Sequence, residues 1–494
     1  MTDKNIENYS FLDPITNSNP FEFYKLLHKE KPVYQIPEIG MFMMTKYDDI
    51  RQALKDYETF SSDVKLAQRG PFADLHQSIL VDGGGWEHVQ TLQRTDPPVH
   101  ARYRKLVDRV FTKKRVVEMT PYIDEVVNQL IDSFIDNGKC DFNNEFAMPM
   151  PGIIIAEQLG LDRKDVATFK KWADSMLGAT RSAIATEEDV RKDSETELEA
   201  QLFLADVFED RRKNPKEDLM SALVHAHGED EEALSMHELQ NLMHQLITGG
   251  FETTQSAINH GMWTLIRFPE VLEKLNEDEN LIKPFIEEVL RWESPVQFLL
   301  RQATKDVEIS GTLIPKGSIV MMGYGPANRD EEKFTCPHKF ELDRKGVGAH
   351  LAFGSGVHHC PGALLGRQEM ISSFKFLVKG LKNINVTYLH AREIVERLGD
   401  GSLDIGFSGY DLLKESELNI QNKVIINKNK LRIISQTSTL LSPIPIAIRI
   451  IMIIGDVKGI SLNQNESDEE GSSITLPAII RANIIGMVSG IKNC

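Results

Sequence analysis

The chain has 494 residues, 41% of them hydrophobic and 26% charged, with a net charge of −17. This is ordinary globular composition with apolar material for a large core, and the acidity argues against non-specific nucleic-acid binding. Four scattered cysteines do not make a disulfide framework and point to a reducing cytoplasm. Residues 1–8 are polar and lack an apolar h-region, so neither a signal peptide nor a membrane anchor is expected. The apolar run at 440–455 is interrupted by Pro443, Pro445 and Arg449 and is too short for a span.

In chain order, residues 21–30 read as a helix, 33–36 and 41–45 as strands, and 47–54 as a helix. Residues 61–95 have weak periodicity and a Gly83-Gly84-Gly85 run, and are expected to form a long mobile loop of the kind that lines binding sites. Thr95-Asp96-Pro97-Pro98 then carries an N-cap and early-proline signal for a helix. His100 and Arg104 lie four apart on that helix and share a face. Such a cationic pair suits an anionic group such as a carboxylate; a merely solvated face is the alternative. Seven basic residues fall between Arg102 and Arg115, with Asp108 the only acid among them. On an acidic protein this patch could dock an acidic partner.

Helices are predicted at 122–137, 151–159, 164–177, 187–212 and 219–226, with no catalytic signature of their own. Residues 236–268 form one long helix whose middle holds Gly249 and Gly250. Each costs about 1 kcal/mol relative to alanine in a helix interior. Two readings explain that cost: an approach path for a ligand, or a close helix–helix crossing. Glu252 and Thr253 follow directly, an acid and an alcohol able to relay protons.

A helix at 285–292 carries Glu288 and Arg291 three apart. Exposed, such a pair is worth less than about 1 kcal/mol. Strands are expected at 297–304, 307–309 and 318–323, with Arg301 projecting from the first and an irregular stretch through Arg344 after the last.

That stretch leads into the most specific motif, Phe353-Gly354-x-Gly356-x-His358-x-Cys360-x-Gly362, with Arg367 and Glu369 on the helix beyond. Glycines permit close approach to a flat ligand and positive φ. A cysteine just ahead of a helix start is biased toward thiolate, and thiolate is a haem-iron ligand. Taken singly, a lone cysteine is usually a small buried hydrophobe. His358, His359 and Cys360 could also ligate zinc, although structural zinc takes four ligands and Cys140, Cys336 and Cys494 are isolated.

Together these motifs, in this order, resemble the cytochrome P450 family, in particular its soluble bacterial members, over about residues 10–382. The resemblance implies a mainly α fold with small β-sheets (α+β), holding haem b between the long central helix and the cysteine loop. It implies Cys360 as the axial ligand to haem iron, with Phe353 against the ring. His100, Arg104, Arg301 and His358 would hold the propionates. Glu288, Arg291 and Arg344 would be a buried structural set. Glu252 and Thr253 would supply protons to O2, the co-substrate, with Gly249 and Gly250 making room for it. Substrate contacts are expected from the 61–95 segment, Gln245, Thr248, Gly249 and residues 295–300, including Val296, Gln297 and Phe298. The apolar residues there favour a lipophilic small molecule. The implied activity is a monooxygenase, cytoplasmic and monomeric, fed by a separate ferredoxin and ferredoxin reductase, since no flavin or iron–sulfur module is visible. A haem protein without turnover, a sensor or an inactive chimera, is the alternative.

Residues 383–494 depart from the family pattern. Part of this tail resembles a fragment of ATP phosphoribosyltransferase, reading as strand, helix, strand over 385–413. A fusion or frameshifted reading frame is the favoured origin. A degenerate α/β domain and a diverged family ending are the other two.

Overall fold

The computed structural model describes residues 5–13, 16–17, 19–64, 72–137, 139–159, 166–178, 185–225, 232–381 and 451–453. The N-terminal part places α1 (Phe21–Glu30) before the hairpin strands β1 (Val33–Gln35) and β2 (Phe42–Met44), then α2 (Tyr47–Ala53) and the short β3 (Phe60–Ser61). Burial of Phe23, Tyr24 and Leu27 at helical spacing packs α1 against β2 and a later strand.

The segment expected to be a loop over 61–95 contains a helix, α3 (Ala73–Asp82). Its apolar face is thin, with only His76 and Leu80 fully buried. It is held by polar contacts to a partner more than a hundred residues away, as with His76 Nδ1 and Ser194 Oγ at 2.8 Å, and such partners leave no hydrophobic period.

The next helix, α4 (Val99–Val110), starts later than the Thr95 signal suggests. Thr95 Oγ1 instead donates to the Thr91 carbonyl. Asp96 is spent on Ser61 and Ser62, accepting from the Ser62 amide at 3.0 Å. The helical bulk follows as α5 (Lys113–Phe134), α6 (Pro149–Gln158), α7 (Val166–Gly178), α8 (Glu187–Lys213) and α9 (Leu219–Val224). Between α5 and α6, β4 (Lys139–Asp141) pairs antiparallel with β9 (Ile451–Ile453). The rest of 383–494, including the predicted strand–helix–strand, lies outside the described residues.

The long helix α10 (Met236–Arg267) matches its predicted extent to within one residue. A capping box fixes its start: the Glu238 amide donates to Ser235 Oγ, and the Ser235 amide donates back to the Glu238 carboxylate. It runs through both large apolar clusters of the molecule, giving Ile247 and Phe251 to one and Ile258, Met262 and Leu265 to the other. After α11 (Pro269–Glu277) and α12 (Ile282–Trp292) come β5 (Phe298–Ala303), the hairpin β6 (Val307–Ile309) and β7 (Thr312–Ile314), then β8 (Ile319–Gly323). The main sheet has order β1-β2-β8-β5-β3, with β2 and β8 parallel and the other pairs antiparallel. The short α13 (Tyr324–Ala327) leads through irregular chain to the cysteine loop, and α14 (Ala363–Gly380) packs on α5, α10 and α12. The architecture is mainly helical with small sheets, and none of the described helices is long and apolar enough to cross a membrane.

Candidate active site

Cys360 is set by its loop. Gly354 (φ +68°) and Gly356 (φ +70°) both sit in the left-handed region that glycine alone enters freely. A side chain at Gly356 would also place its Cβ 2.2 Å from the Leu54 carbonyl oxygen. The loop is closed by the Cys360 amide, which donates to the Phe353 carbonyl at 2.9 Å. Phe353 lies under the Arg367 guanidinium, 4.3 Å from Cζ to the ring centre. Burial pushes the Cys360 thiol up, while the amides of Gly362 and Ala363 and the charges of Arg104 and Arg367 favour thiolate. The bias toward thiolate expected of the helix start is seen in these donors, and burial opposes it. Such a sulfur suits coordination to a metal cation. The zinc alternative fails on donors, since among the described residues His358, His359 and Cys360 do not form a trio of converging ligand atoms.

Four cationic or imidazole groups surround the loop. The rings of His100 and His358 lie 4.2 Å apart. Arg104 Nη1 donates to the carbonyls of Val357, at 3.2 Å, and His359, and Nε to Asp108 at 2.8 Å. Arg301 is buried on β5 and donates to the Leu300 carbonyl. His100 Nε2 is buried with no hydrogen-bond partner. Burial and the charge of Arg301 push His358 down to about 3. Burial, then Arg104, also lowers His100. Burial and the neighbouring arginines thus disfavour charge on the two imidazoles, and the orphaned His100 Nε2 beside Arg104 and Arg301 is a setting that two carboxylates of a haem would complete. With the sulfur on the same loop, the residues fit that group.

On α10 the two glycines separate. A Cβ on Gly249 would meet nothing within 4 Å, so this position borders open space. One on Gly250 would lie 2.9 Å from Ile155 Cδ1. Gly250 is thus a packing glycine against α6, which corrects its expected share in making room for O2. Thr253 Oγ1 donates to the Gly249 carbonyl at 2.6 Å, and Thr248 Oγ1 to that of His244 at 2.8 Å. Both hydroxyls turn back onto the helix and loosen it locally. Glu252 and Thr253 are half-buried. Behind them, burial pushes Glu369 of α14 up to about 8, opposed by a hydrogen bond with Thr254. Glu369 is a neutral acid at physiological pH that sequence reading left without a role.

Glu288, Arg291 and Arg344 form a fully connected buried set. Arg291 grips Glu288 with two hydrogen bonds, at 2.7 and 2.8 Å, and donates to the carbonyls of Asn328 and Pro337. Arg344 Nε lies 3.0 and 3.1 Å from the two Glu288 oxygens. Glu288 and Arg291 are both 0% exposed, so the reading as a commonplace surface pair does not apply. A second set was missed from sequence. Arg367 Nε and Nη2 donate to Glu287 at 2.6 and 3.0 Å, and His350 Nε2 lies 3.0 Å from the same carboxylate. Burial opposes the charge, yet His350 and Arg367 hold Glu287 at about 2. The two sets tie α12 to the irregular stretch and to the cysteine loop.

Three expected substrate contacts are occupied otherwise. Gln245 accepts from the Gln93 amide at 3.0 Å and donates to Thr91 Oγ1 at 2.9 Å, fastening the segment before α4. Gln297 is buried and donates to the Ser294 carbonyl. Phe298 faces the N-terminal cluster, 5.8 Å from the Phe11 ring. Along β5 it alternates with Leu299, which packs on the other side with Val296. Of the basic patch, Arg102 pairs with Glu238 and Arg115 with Gln158. Lys105, Arg109, Lys113 and Lys114 remain exposed, and Lys105 and Arg109 line an open cleft of about 800 Å³ beside His100 and Arg104.

The family description "Cytochrome P450" matches residues 168–403. The chain is 33% identical to 6-deoxyerythronolide B hydroxylase of Saccharopolyspora erythraea over 352 residues, covering 71% of this chain and 85% of that protein. Among solved structures it resembles cytochrome P450 CREJ in complex with (4-ethylphenyl) dihydrogen phosphate, with a TM-score of 0.70 at 30% identity over 78% of this chain and 94% of that one. It also resembles CYP109E1 from Bacillus megaterium in complex with corticosterone, with a TM-score of 0.65 at 28% identity over 75% and 92%. A cysteine held in a glycine-shaped loop, within a fold shared with these proteins, identifies the chain as a bacterial cytochrome P450, a haem-dependent monooxygenase that uses O2.

Proposed function

We propose that the chain inserts one oxygen atom of O2 into a lipophilic small molecule, with electrons delivered by a separate ferredoxin and ferredoxin reductase. The observation that carries this reading is the convergence of Cys360 with the cationic set of His100, Arg104, Arg301 and His358. Bound haem b supplies the oxidising chemistry that splits O2 between substrate and water. Cys360 provides the sulfur ligand, with the Gly362 and Ala363 amides directed toward it. The cationic set holds the propionates, and Phe353 flanks the ring. Thr253 moves a proton through Oγ1 when it leaves the Gly249 carbonyl, and Glu252 replenishes it. Gly249 keeps that stretch of helix open.

Leu299, Val296, Thr248 and the segment before α4 are proposed to border the substrate. The printed names of relatives support a lipophilic class: one structure holds corticosterone and another relative is a methyl-branched lipid omega-hydroxylase. Exposed Lys105 and Arg109, which share a cleft with Val357 of the cysteine loop, and exposed Lys113 and Lys114 just after them in the chain support an acidic electron donor. Residues 1–382 are proposed to form the haem-thiolate unit, with 383–494 an extension of separate origin.

The test is the ferrous–CO spectrum of the purified holoprotein. A strongly red-shifted Soret band is expected, and Cys360→Ser should abolish it. A histidine-type band in the wild type would overturn the assignment of Cys360. Electron transfer is tested by NADH consumption with a ferredoxin system and a lipophilic substrate library. Oxygenated product is expected, and haem binding without any product would overturn the monooxygenase reading.

A further inference from the structure

A second cluster of ligand-type side chains lies apart from the cysteine loop. His76 on α3, His88 in the loop after it, Glu197 on α8 and His244 on α10 meet around one carboxylate. His88 Nε2 is 2.6 Å from Glu197 Oε1, His244 Nδ1 is 3.4 Å from the same oxygen, and His76 Nε2 is 3.6 Å from Glu197 Oε2. One ligand atom each from His76, His88 and Glu197 lies within 4.8 Å of the others, the only such trio among the described residues. Glu197 is 1% exposed, and its Oε2 is buried without a hydrogen-bond partner.

We propose that this cluster is a zinc site held by Glu197, His88 and His76, which His244, now close to the carboxylate alone, would complete by moving in as the fourth donor. Its ligand chemistry favours that ion. Imidazole nitrogens with a single carboxylate suit zinc, whereas calcium and magnesium select oxygen-rich cages. The supporting groups are those a metal site uses to fix its imidazoles. Ser194 Oγ lies 2.8 Å from His76 Nδ1, which turns Nε2 toward the carboxylate. The Asn241 side-chain amide lies 3.4 Å from His88 Nδ1, and on zinc binding it would turn its oxygen to accept Nδ1–H, leaving Nε2 to ligate. The charge balance also works. All the ion-pair partners of Glu197 among the described residues are histidines, so no arginine or lysine competes with a cation. The ion would displace to solvent the proton of the His88 Nε2–Glu197 Oε1 hydrogen bond, and the His88 loop would then move slightly away from α8 toward tetrahedral spacing. His88 and His244 are 16% and 21% exposed, which gives the ion a route from solvent.

The four donors come from four separate segments. Zinc here would cross-link the 73–91 region, proposed above to border the substrate, to α8 and α10. The metal would brace this side of the molecule without taking part in oxygen chemistry.

The test uses the full-length haem-loaded protein, stripped of loosely bound metal by a chelator and titrated calorimetrically with zinc sulfate. Saturable one-to-one binding is expected, with a rise in the thermal unfolding midpoint. Glu197→Gln and His88→Ala should each weaken it at least about 100-fold, comparable to or beyond the loss of a supporting group. Each variant is first checked for an unchanged CO spectrum, which reports folding independently of zinc. Zinc-edge X-ray absorption on the wild type stands apart from any variant and should show nitrogen and oxygen neighbours at about 2.0–2.2 Å. Absence of one-to-one binding would leave a plain histidine–glutamate hydrogen-bond network and overturn the proposal. So would binding that survives both substitutions, or sulfur in the coordination shell. None of these outcomes bears on the monooxygenase reading, which is read from Cys360 and product.

Discussion

The two sides of the α10 helix are held by different chemistry. On the cysteine side, carboxylates meet arginines: buried Glu288 with Arg291 and Arg344, and half-buried Glu287 with Arg367. Around α3 and the segment after it, the fastenings are amides and imidazoles: Gln245 to Thr91 and Gln93, Gln201 to Trp86, and His88 and His244 to Glu197. Arginine keeps its charge at any working pH and engages a carboxylate through a rigid fork. Imidazoles and amides give weaker bonds that can change partner or protonation. The difference teaches where the fold spends rigidity. One sulfur must be placed to a fraction of an ångström, while the segment after α3 is the one proposed to border the substrate.

The largest effect is expected at Glu288. Replacement by alanine would leave two buried guanidinium groups without their carboxylate, at a cost of about 3–5 kcal/mol. Against a total stability of about 5–15 kcal/mol, this should sharply lower the recovery of haem-loaded protein and the denaturant midpoint. Gly356→Ala comes next. It combines a left-handed backbone angle with a clash against the Leu54 carbonyl, a loss of about 2–4 kcal/mol. The thiolate-type CO band should fall while helical circular dichroism persists.

Glu287→Gln should cost about 1.5–3 kcal/mol near neutral pH, the value of a hydrogen bond to a charged group. Because the folded carboxylate is held at about 2 against 4.5 unfolded, its contribution is present above pH 4.5 and fades as pH falls toward 2. Urea midpoints of variant and wild type should therefore converge across that window, and a gap that stays constant would refute the ion-pair account. The smallest effect is expected on the other side, where Gln245→Leu removes two partly exposed hydrogen bonds at about 1 kcal/mol in all. Hydrogen exchange should quicken around residues 86–95 with the CO spectrum unchanged. A Gln245 variant as damaging as Glu288→Ala would break the contrast between the two sides.

Much of the fold was legible because long helices announce their period. The α10 helix combines a capping box, a sustained apolar stripe and a closing arginine, all local signals. By contrast, α3 carries no legible period in the sequence because its stabilising partners, Ser194 and Glu197, lie on α8. The Glu288–Arg291 spacing is three residues, visible by inspection, whereas Glu287 finds Arg367 eighty residues on. Phe298 was a different kind of miss. Once Arg301 is turned toward the cationic set, strand alternation puts Leu299 on the same face and Phe298 on the other. The double glycine could not be divided from sequence, since only the position of Ile155 distinguishes Gly250 from Gly249.

The close approach of Gly356 to the Leu54 carbonyl, which leaves no room for a Cβ, links places about three hundred residues apart. It makes the cysteine loop a gauge of where α2 ends. A shift of α2 toward the loop would push on the segment that carries the sulfur. One shifted away would open a gap beneath it. The colour of the bound haem therefore becomes an optical readout of the N-terminal sheet region, including residues that never approach the reaction. A change of loop length between residues 54 and 60 should be visible there first, before any measure of global unfolding responds.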